Sequence, residues 1–150
     1  MSGGINLRKM GLDIGDKRIG IAISDAMNIT AQSKKVLKRT DHQQDLKTIN
    51  KYIKKYNVDE IIVGLPKNMD NSIGPQAEKV KHYVNFLKNN LDIPIKFWDE
   101  RLSTREAERL LIKADLSRSQ RKNVVDRVAA SIILQGYLDY NFNLEGKRDE

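Results

Sequence analysis

Met10-Gly-Leu-Asp-Ile-Gly15, followed closely by Ile19-Gly-Ile-Ala-Ile-Ser24, is the stretch that decides the fold. Leu7–Asp13 reads as an apolar strand. Ile19–Ser24 alternates apolar with small residues and reads as a second strand. Between them Gly15, Asp16 and Lys17 supply turn chemistry, so the pair forms a hairpin. Ala31–Lys38 is a third strand, placed at an edge. Three leading strands predict an antiparallel meander.

Downstream the rhythm changes. Thr40–Tyr56 carries Leu46, Ile49, Tyr52 and Ile53 at helical spacing behind a Thr/Asp start. Glu60–Leu65 is a short buried strand, and 66–75 a loop. Gln76–Asn89 is a helix with Val80, Tyr83, Val84 and Leu87 inward, and Ile93–Trp98 the next strand. Ser103-x-x-Glu106 and Ser117-x-x-Gln120 are capping boxes. The first opens a helix to about Ala114, the second a helix to about Tyr140, with a polar, frayed tail beyond Asn141. The β-α-β alternation predicts parallel pairing through helical crossovers. The expected architecture is α/β, a mixed five-stranded sheet with helices on both faces. Ligands of such sheets collect at strand carboxyl ends near a topological switch point.

The chain has 150 residues, one domain of ordinary size spanning 1–150, with its core over about 7–140. It has no cysteine, which excludes disulfides and thiolate zinc sites. The amino-terminal residues show no signal-peptide apolar region, and no run approaches a membrane span. A cytoplasmic address is expected. Lys plus Arg total 27 against 20 acids, giving a net charge of +7. That balance suits a nucleic-acid partner. Ser33–Lys55 is one basic cluster, read as a solvated helix face. Arg101–Arg127 is another, with eight bases against four acids.

Three acids stand where core residues are expected. Asp13 ends the first strand, Glu100 follows the last, and Asp126 interrupts the inner face of the final helix in Val124-Val-Asp-Arg-Val-Ala-Ala130. A buried carboxylate costs several kcal/mol, of order 3–5, unless paired or metal-bound. If the fold gathers them, a divalent cation is the simplest remedy, and phosphodiester cleavage the chemistry suggested. Each acid has a structural alternative. Asp13 could seed an Asx-turn, Glu100 could complement a helix dipole, and Asp126 could pair with Lys122. Alternation sends Asp99 and Glu100 to opposite faces, and parity does not choose between them. The small run Ala129-Ala-Ser131 lets the final helix approach the sheet closely. His42 and His82 lie in polar helical contexts without metal-ligand spacing. Trp98 is read as core.

Asp13-Ile-Gly-Asp-Lys-Arg-Ile-Gly-Ile-Ala-Ile-Ser-Asp25, Gly64-Leu-Pro66, Trp98-Asp-Glu-Arg-Leu-Ser-Thr104 and Asp126-Arg-Val-Ala-Ala130 together resemble the YqgF (RuvX) family. That family is described as Holliday junction resolvases and as nucleases for the 5′ end of pre-16S ribosomal RNA. The resemblance covers about Leu7 to Tyr140. It implies a ribonuclease-H-like fold, and Asp13, Glu100 and Asp126 as catalytic acids that bind Mg²⁺, with Mn²⁺ able to substitute. It thereby chooses Glu100 over Asp99. Asn71 departs from the family pattern, which has glycine there.

Candidate phosphate contacts are Lys17, Arg18, Arg101, Arg105 and Lys122, with Lys67 and Asn68 in the loop after Gly64. The expected partner is pre-ribosomal RNA or branched DNA, with ribosome-maturation factors as further partners and a monomer or weak homodimer as the assembly. A phosphate-binding ATPase of the actin and sugar-kinase type is the competing enzyme class. Length opposes it, because those proteins need two such domains. A non-catalytic nucleic-acid-binding module is the other alternative.

Overall fold

The computed structural model describes residues 7–66, 70, 72–99 and 117–148, with backbone alone for 118, 121–123, 125, 126 and 145–148. β1 (Arg8–Ile14), β2 (Arg18–Ser24) and β3 (Ala31–Lys38) lead the chain. Helix α1 (His42–Tyr56), β4 (Val58–Leu65), α2 (Pro75–Asn90), β5 (Ile95–Asp99) and α3 (Arg118–Arg148) follow. The strands form one sheet in the order β3-β2-β1-β4-β5. β1 pairs antiparallel with β2, and β2 with β3, as the meander requires. β4 lies parallel to β1 and β5 parallel to β4. β1 is therefore the central strand, where hairpin pairing on one side meets crossover pairing on the other. β3 is the edge strand expected.

The hairpin sequence assigns the two faces. Met10, Leu12 and Ile14 of β1 and Ile19, Ile21 and Ile23 of β2 enter one core with Ile49 of α1 and Val80, Tyr83, Val84 and Leu87 of α2. The intervening positions Gly11, Asp13, Gly20 and Ala22 are small or polar and face α3. Ala22 and Ile62 pack there with Ala130, Ile133, Leu134, Tyr137 and Leu138. Large residues at every second position thus hold two helices on one face. Small residues on the other let one helix come close.

That approach is tight. A Cβ built on Gly11 would stand 2.7 Å from the Ala130 carbonyl oxygen and 2.8 Å from Leu134 Cβ. Ala130, in the middle of the small run, is the contacting residue.

Helix ends follow their sequence signals. Asp41 caps α1 by accepting from the Gln44 N–H, and Asn57 closes it in the left-handed conformation. Gly74 and Pro75 start α2. Ser117 N–H donates to Gln120 Oε1 at 2.9 Å, and Gln120 N–H donates to Ser117 Oγ at 3.3 Å, so that capping box forms. The expected helix after Ser103 lies outside the described residues. The frayed tail is corrected, because α3 continues to Arg148. No proline interrupts 141–148, and the Tyr140 ring meets the Trp98 ring edge-on at 5.8 Å, which anchors the added turns.

Two acids that the sequence does not flag are buried. Glu60 is 7% exposed and Asp45 1%. Glu60 accepts from Tyr137 Oη at 2.8 Å and pairs with Lys96 Nζ at 2.9 Å. The bond from Glu60 raises the Lys96 pKa above its usual value. This network fastens α3 at the amino ends of the strands, away from Asp13.

Candidate nucleic-acid cleavage site

β1, β4 and β5 run parallel, so Ile14, Leu65 and Asp99 end on the same edge of the sheet. Asp13 lies on that edge at the centre, half-buried, paired across the hairpin with Gly20. The glycine opposite the acid puts no side chain of β2 beside it on the α3-facing side. A Cβ on Gly20 would stand 3.7 Å from Asp13 Cβ and 3.4 Å from Ala130 Cβ. A cleft of about 400 Å³ opens here, lined by Asp13, Gly15, Asp16, Lys17, Arg18, Gly20 and Val36. Lys17 and Arg18, both exposed, thus share one concavity with the acid. Two cations beside a half-buried carboxylate suit a phosphate-bearing ligand.

The direction of α3 follows from its contacts. Leu134 and Ala130 lie against Gly11, and Ala130 also reaches Gly20, the partner of Asp13. Tyr137 sits further back, over Glu60. The amino-terminal part of α3 therefore points to the carboxyl end of β1. The Asp126 backbone stands one turn beyond Ala130, roughly 6 Å along the axis. Ser33 Oγ donates to the neighbouring Arg127 carbonyl at 2.8 Å and ties this turn to the edge strand. The Lys122 backbone lies a further turn out.

Asp99 pairs with Leu65, whose side chain belongs to the α1–α2 core, so Asp99 faces away from Asp13. Glu100, Arg101 and Arg105 lie outside the described residues, as do Lys67, Asn68 and Asn71. Among the described residues no three His, Cys, Asp or Glu side chains gather as a metal site. The Asp13 carboxylate, beside Gly15 and Gly20 in the cleft, offers hard oxygen atoms that fit a divalent cation as part of a ligand set. Trp98 is half-buried against Tyr137 and Tyr140, as a packing residue. His82 is exposed. His42 is exposed yet rests its ring on Tyr83 and Phe86. Sequence reasoning missed Val36 and Gly20 as cleft walls, although the glycine opposite Asp13 was visible as a repeat of small residues in β2.

A family profile described as RuvX, Holliday junction resolvase, matches residues 7–140. The chain belongs to the RuvX family. RuvX relatives include a protein of Halothermothrix orenii named "Putative pre-16S rRNA nuclease", 59% identical over 140 residues, covering 93% of this chain and 100% of the relative. A protein of Desulforamulus reducens with the same name is 50% identical over 133 residues, covering 89% and 97%. Among solved structures, T. thermophilus RuvC in complex with Holliday junction substrate aligns with a TM-score of 0.57 at 12% identity, covering 91% of this chain and 96% of that one. At that identity the likeness concerns fold, and it is the ribonuclease-H-like fold. As a RuvX member the chain is a nuclease, a hydrolase of phosphodiester bonds. None of the helices among the described residues is long and apolar enough to cross a membrane.

Proposed function

We propose that this RuvX protein hydrolyses phosphodiester bonds in structured nucleic acid, with the 5′ end of pre-16S ribosomal RNA as its substrate. Asp13, Glu100 and Asp126 are the catalytic acids in this reading. The observation that carries it is Asp13, half-buried at the carboxyl end of the central strand, in a cleft shared with Lys17 and Arg18. The relatives' name supports RNA as substrate. The family description favours branched DNA as the second reading.

The three acids would hold two divalent cations, Mg²⁺ with Mn²⁺ as a substitute, for two-metal-ion hydrolysis by an endonuclease. Of such a pair, one would lower the pKa of the attacking water and the other would stabilise the leaving oxygen. The chain's own residues do the rest. The β1–β2 ladder fixes the Asp13 backbone at the strand end, from which its carboxylate would serve as a ligand. Lys17 and Arg18 bind the phosphates flanking the scissile bond, with Arg101, Arg105, Lys122, Lys67 and Asn68 extending the track. Gly20 leaves room for the scissile group to approach Asp13. The setting is cytoplasmic, beside ribosome-maturation factors.

The deciding experiment incubates the protein with pre-16S RNA and with four-way DNA junctions in parallel, in Mg²⁺, Mn²⁺ or EDTA. RNA cleavage that needs the metal and disappears in Asp13→Asn, Glu100→Gln and Asp126→Asn is the expected result. Equal cleavage in EDTA, or full activity in all three variants, would overturn the reading. Cleavage of junctions alone would move the substrate to DNA.

A further inference from the structure

Beyond the last ladder pair of the hairpin, Ile14 with Ile19, the turn from Gly15 to Lys17 is closed by a single backbone bond of its own among the described residues, to Arg18 at the start of β2. Gly15 N–H donates to the Arg18 carbonyl at 2.9 Å. Arg18 is held in the sheet by its ladder pairing with Lys38. What ties the turn before it to the body of the protein is Arg39, the residue directly after β3. Its Nη1 donates to the Gly15 carbonyl at 2.7 Å, and its backbone N–H donates to the Lys17 carbonyl at 2.9 Å. The same guanidinium lies 4.6 Å from the centroid of the Tyr83 ring on α2. Its Nε stands 3.8 Å from Oδ2 of Asp45 on α1. Asp45 is buried, and its Oδ1 accepts from the Thr40 N–H at 3.2 Å. A further tie on the turn is the Asp16–Lys79 ion pair at 3.4 Å. Both of its side chains are largely exposed, and such pairs contribute little.

We propose that Arg39 is a positioning residue for substrate binding: it clamps the Gly15–Lys17 turn onto a platform formed by Asp45 and Tyr83, and so sets Lys17 beside the strand-held Arg18. The kinetic part of this inference rests on the nuclease reading above. The planar fork of arginine is what the site requires. It reaches a carbonyl and a carboxylate together while stacking on a ring, which one ammonium group cannot do. Asp13 does not depend on the clamp, because the ladder to Gly20 holds it. Loss of Arg39 therefore acts on substrate affinity and leaves the chemical step in place.

The test uses the full chain. Arg39→Met alone removes the cation beside the buried Asp45 and risks unfolding, so it is combined with Asp45→Asn. Arg39→Lys is the conservative partner. In the double variant KM and the Kd for RNA should rise about tenfold, while kcat stays within about threefold. Amide exchange at positions 15 and 39 should quicken about tenfold or more, with exchange in α3 unchanged. Arg39→Lys should regain melting temperature but not protection at position 15. Unchanged exchange at position 15 in the folded double variant would overturn the clamp, as would wild-type KM. If the wild-type protein cleaves nothing, the nuclease reading falls, and exchange at position 15 alone upholds or overturns the clamp.

Discussion

Gly11 and Ala130 meet with no side chain between them, since a Cβ on Gly11 would come within 2.7 Å of the Ala130 carbonyl oxygen. That contact fixes the height of α3 over β1. It also fixes the distance from the strand end carrying Asp13 to the helical turn carrying Asp126. Gly11→Ala cannot be absorbed by a flexible side chain, because the obstacle is backbone. We expect a loss of about 1–3 kcal/mol, the usual cost of overpacking a core. Denaturant unfolding reads the stability. Nuclease assays at a temperature where the variant is folded should also show reduced activity. A variant as stable and as active as wild type would mean that α3 rides over the sheet without strain.

Metal binding should appear as stability. If Asp13, Glu100 and Asp126 form the proposed site, a divalent cation binds it and not the unfolded chain, so Mg²⁺ should raise the melting temperature. At a hundredfold excess over its Kd the gain is about 2.7 kcal/mol. Asp13→Asn should shrink that gain and, by removing one of three like charges, should not destabilise the apo protein. Thermal melts at constant ionic strength check this. No response of wild type to metal, together with a lower melt for Asp126→Asn, would point to a structural role for Asp126.

Nucleic-acid affinity should depend on salt through the cleft cations. Neutralising both Lys17 and Arg18 should flatten the plot of log K against log salt by about 0.7–0.9 for each phosphate that they neutralise in the wild type. Fluorescence anisotropy in calcium or EDTA, where no cleavage intervenes, measures the slope. An unaltered slope would remove these two residues from the phosphate track. Arg101, Arg105 and Lys122 give a second, independent set for the same measurement.

Tyr137→Phe should cost about 1–2 kcal/mol. It removes the 2.8 Å bond to the buried Glu60 carboxylate, and bonds to charged groups are worth more than neutral ones. Lys96 keeps Glu60 paired and limits the loss. The double variant Tyr137→Phe with Glu60→Gln should recover part of it. Additive costs in that cycle would show that the two side chains do not interact.

Stability should fall on the alkaline side. Burial, reinforced by the Asp45 charge, pushes the Tyr83 hydroxyl up to about 12. Its folded pKa lies above the unfolded value of about 10. The unfolded chain therefore loses this proton first, and stability declines as pH rises from about 10 towards 12. Lys96, also raised, contributes stability in full below its unfolded pKa and loses it as pH climbs through the folded one. Tyr83→Phe should flatten the alkaline limb of a stability–pH curve measured with urea. An identical limb in the variant would assign the decline to other groups.

The sequence by itself determined the sheet. Alternating large and small residues in Met10–Ile14 and Ile19–Ser24 dictate which face takes two helices and which takes one, because strand side chains have a period of two. Capping side chains at Asp41 and Ser117 dictate where two helices begin, since they satisfy backbone donors within a few residues of themselves. Pro75 starts α2 because its fixed φ suits the first helical position. Asp13 was legible as an acid at a strand end for the same local reason. Only tertiary structure decided that Asp99 faces away from Asp13, because the answer depends on the register of β5 against Leu65. Only tertiary structure showed that Val36 walls the cleft and that Arg39 leaves the solvated basic cluster to grip the hairpin turn. It also showed which acids are buried: Asp45 and Glu60 look ordinary in the chain and acquire their meaning from Arg39, Lys96 and Tyr137. Short-range patterns carry hydrogen-bonding and periodic information. Partners drawn from elements 24 to 77 residues apart, as Gly15 is from Arg39 and Glu60 is from Tyr137, exist only once the sheet has brought them together.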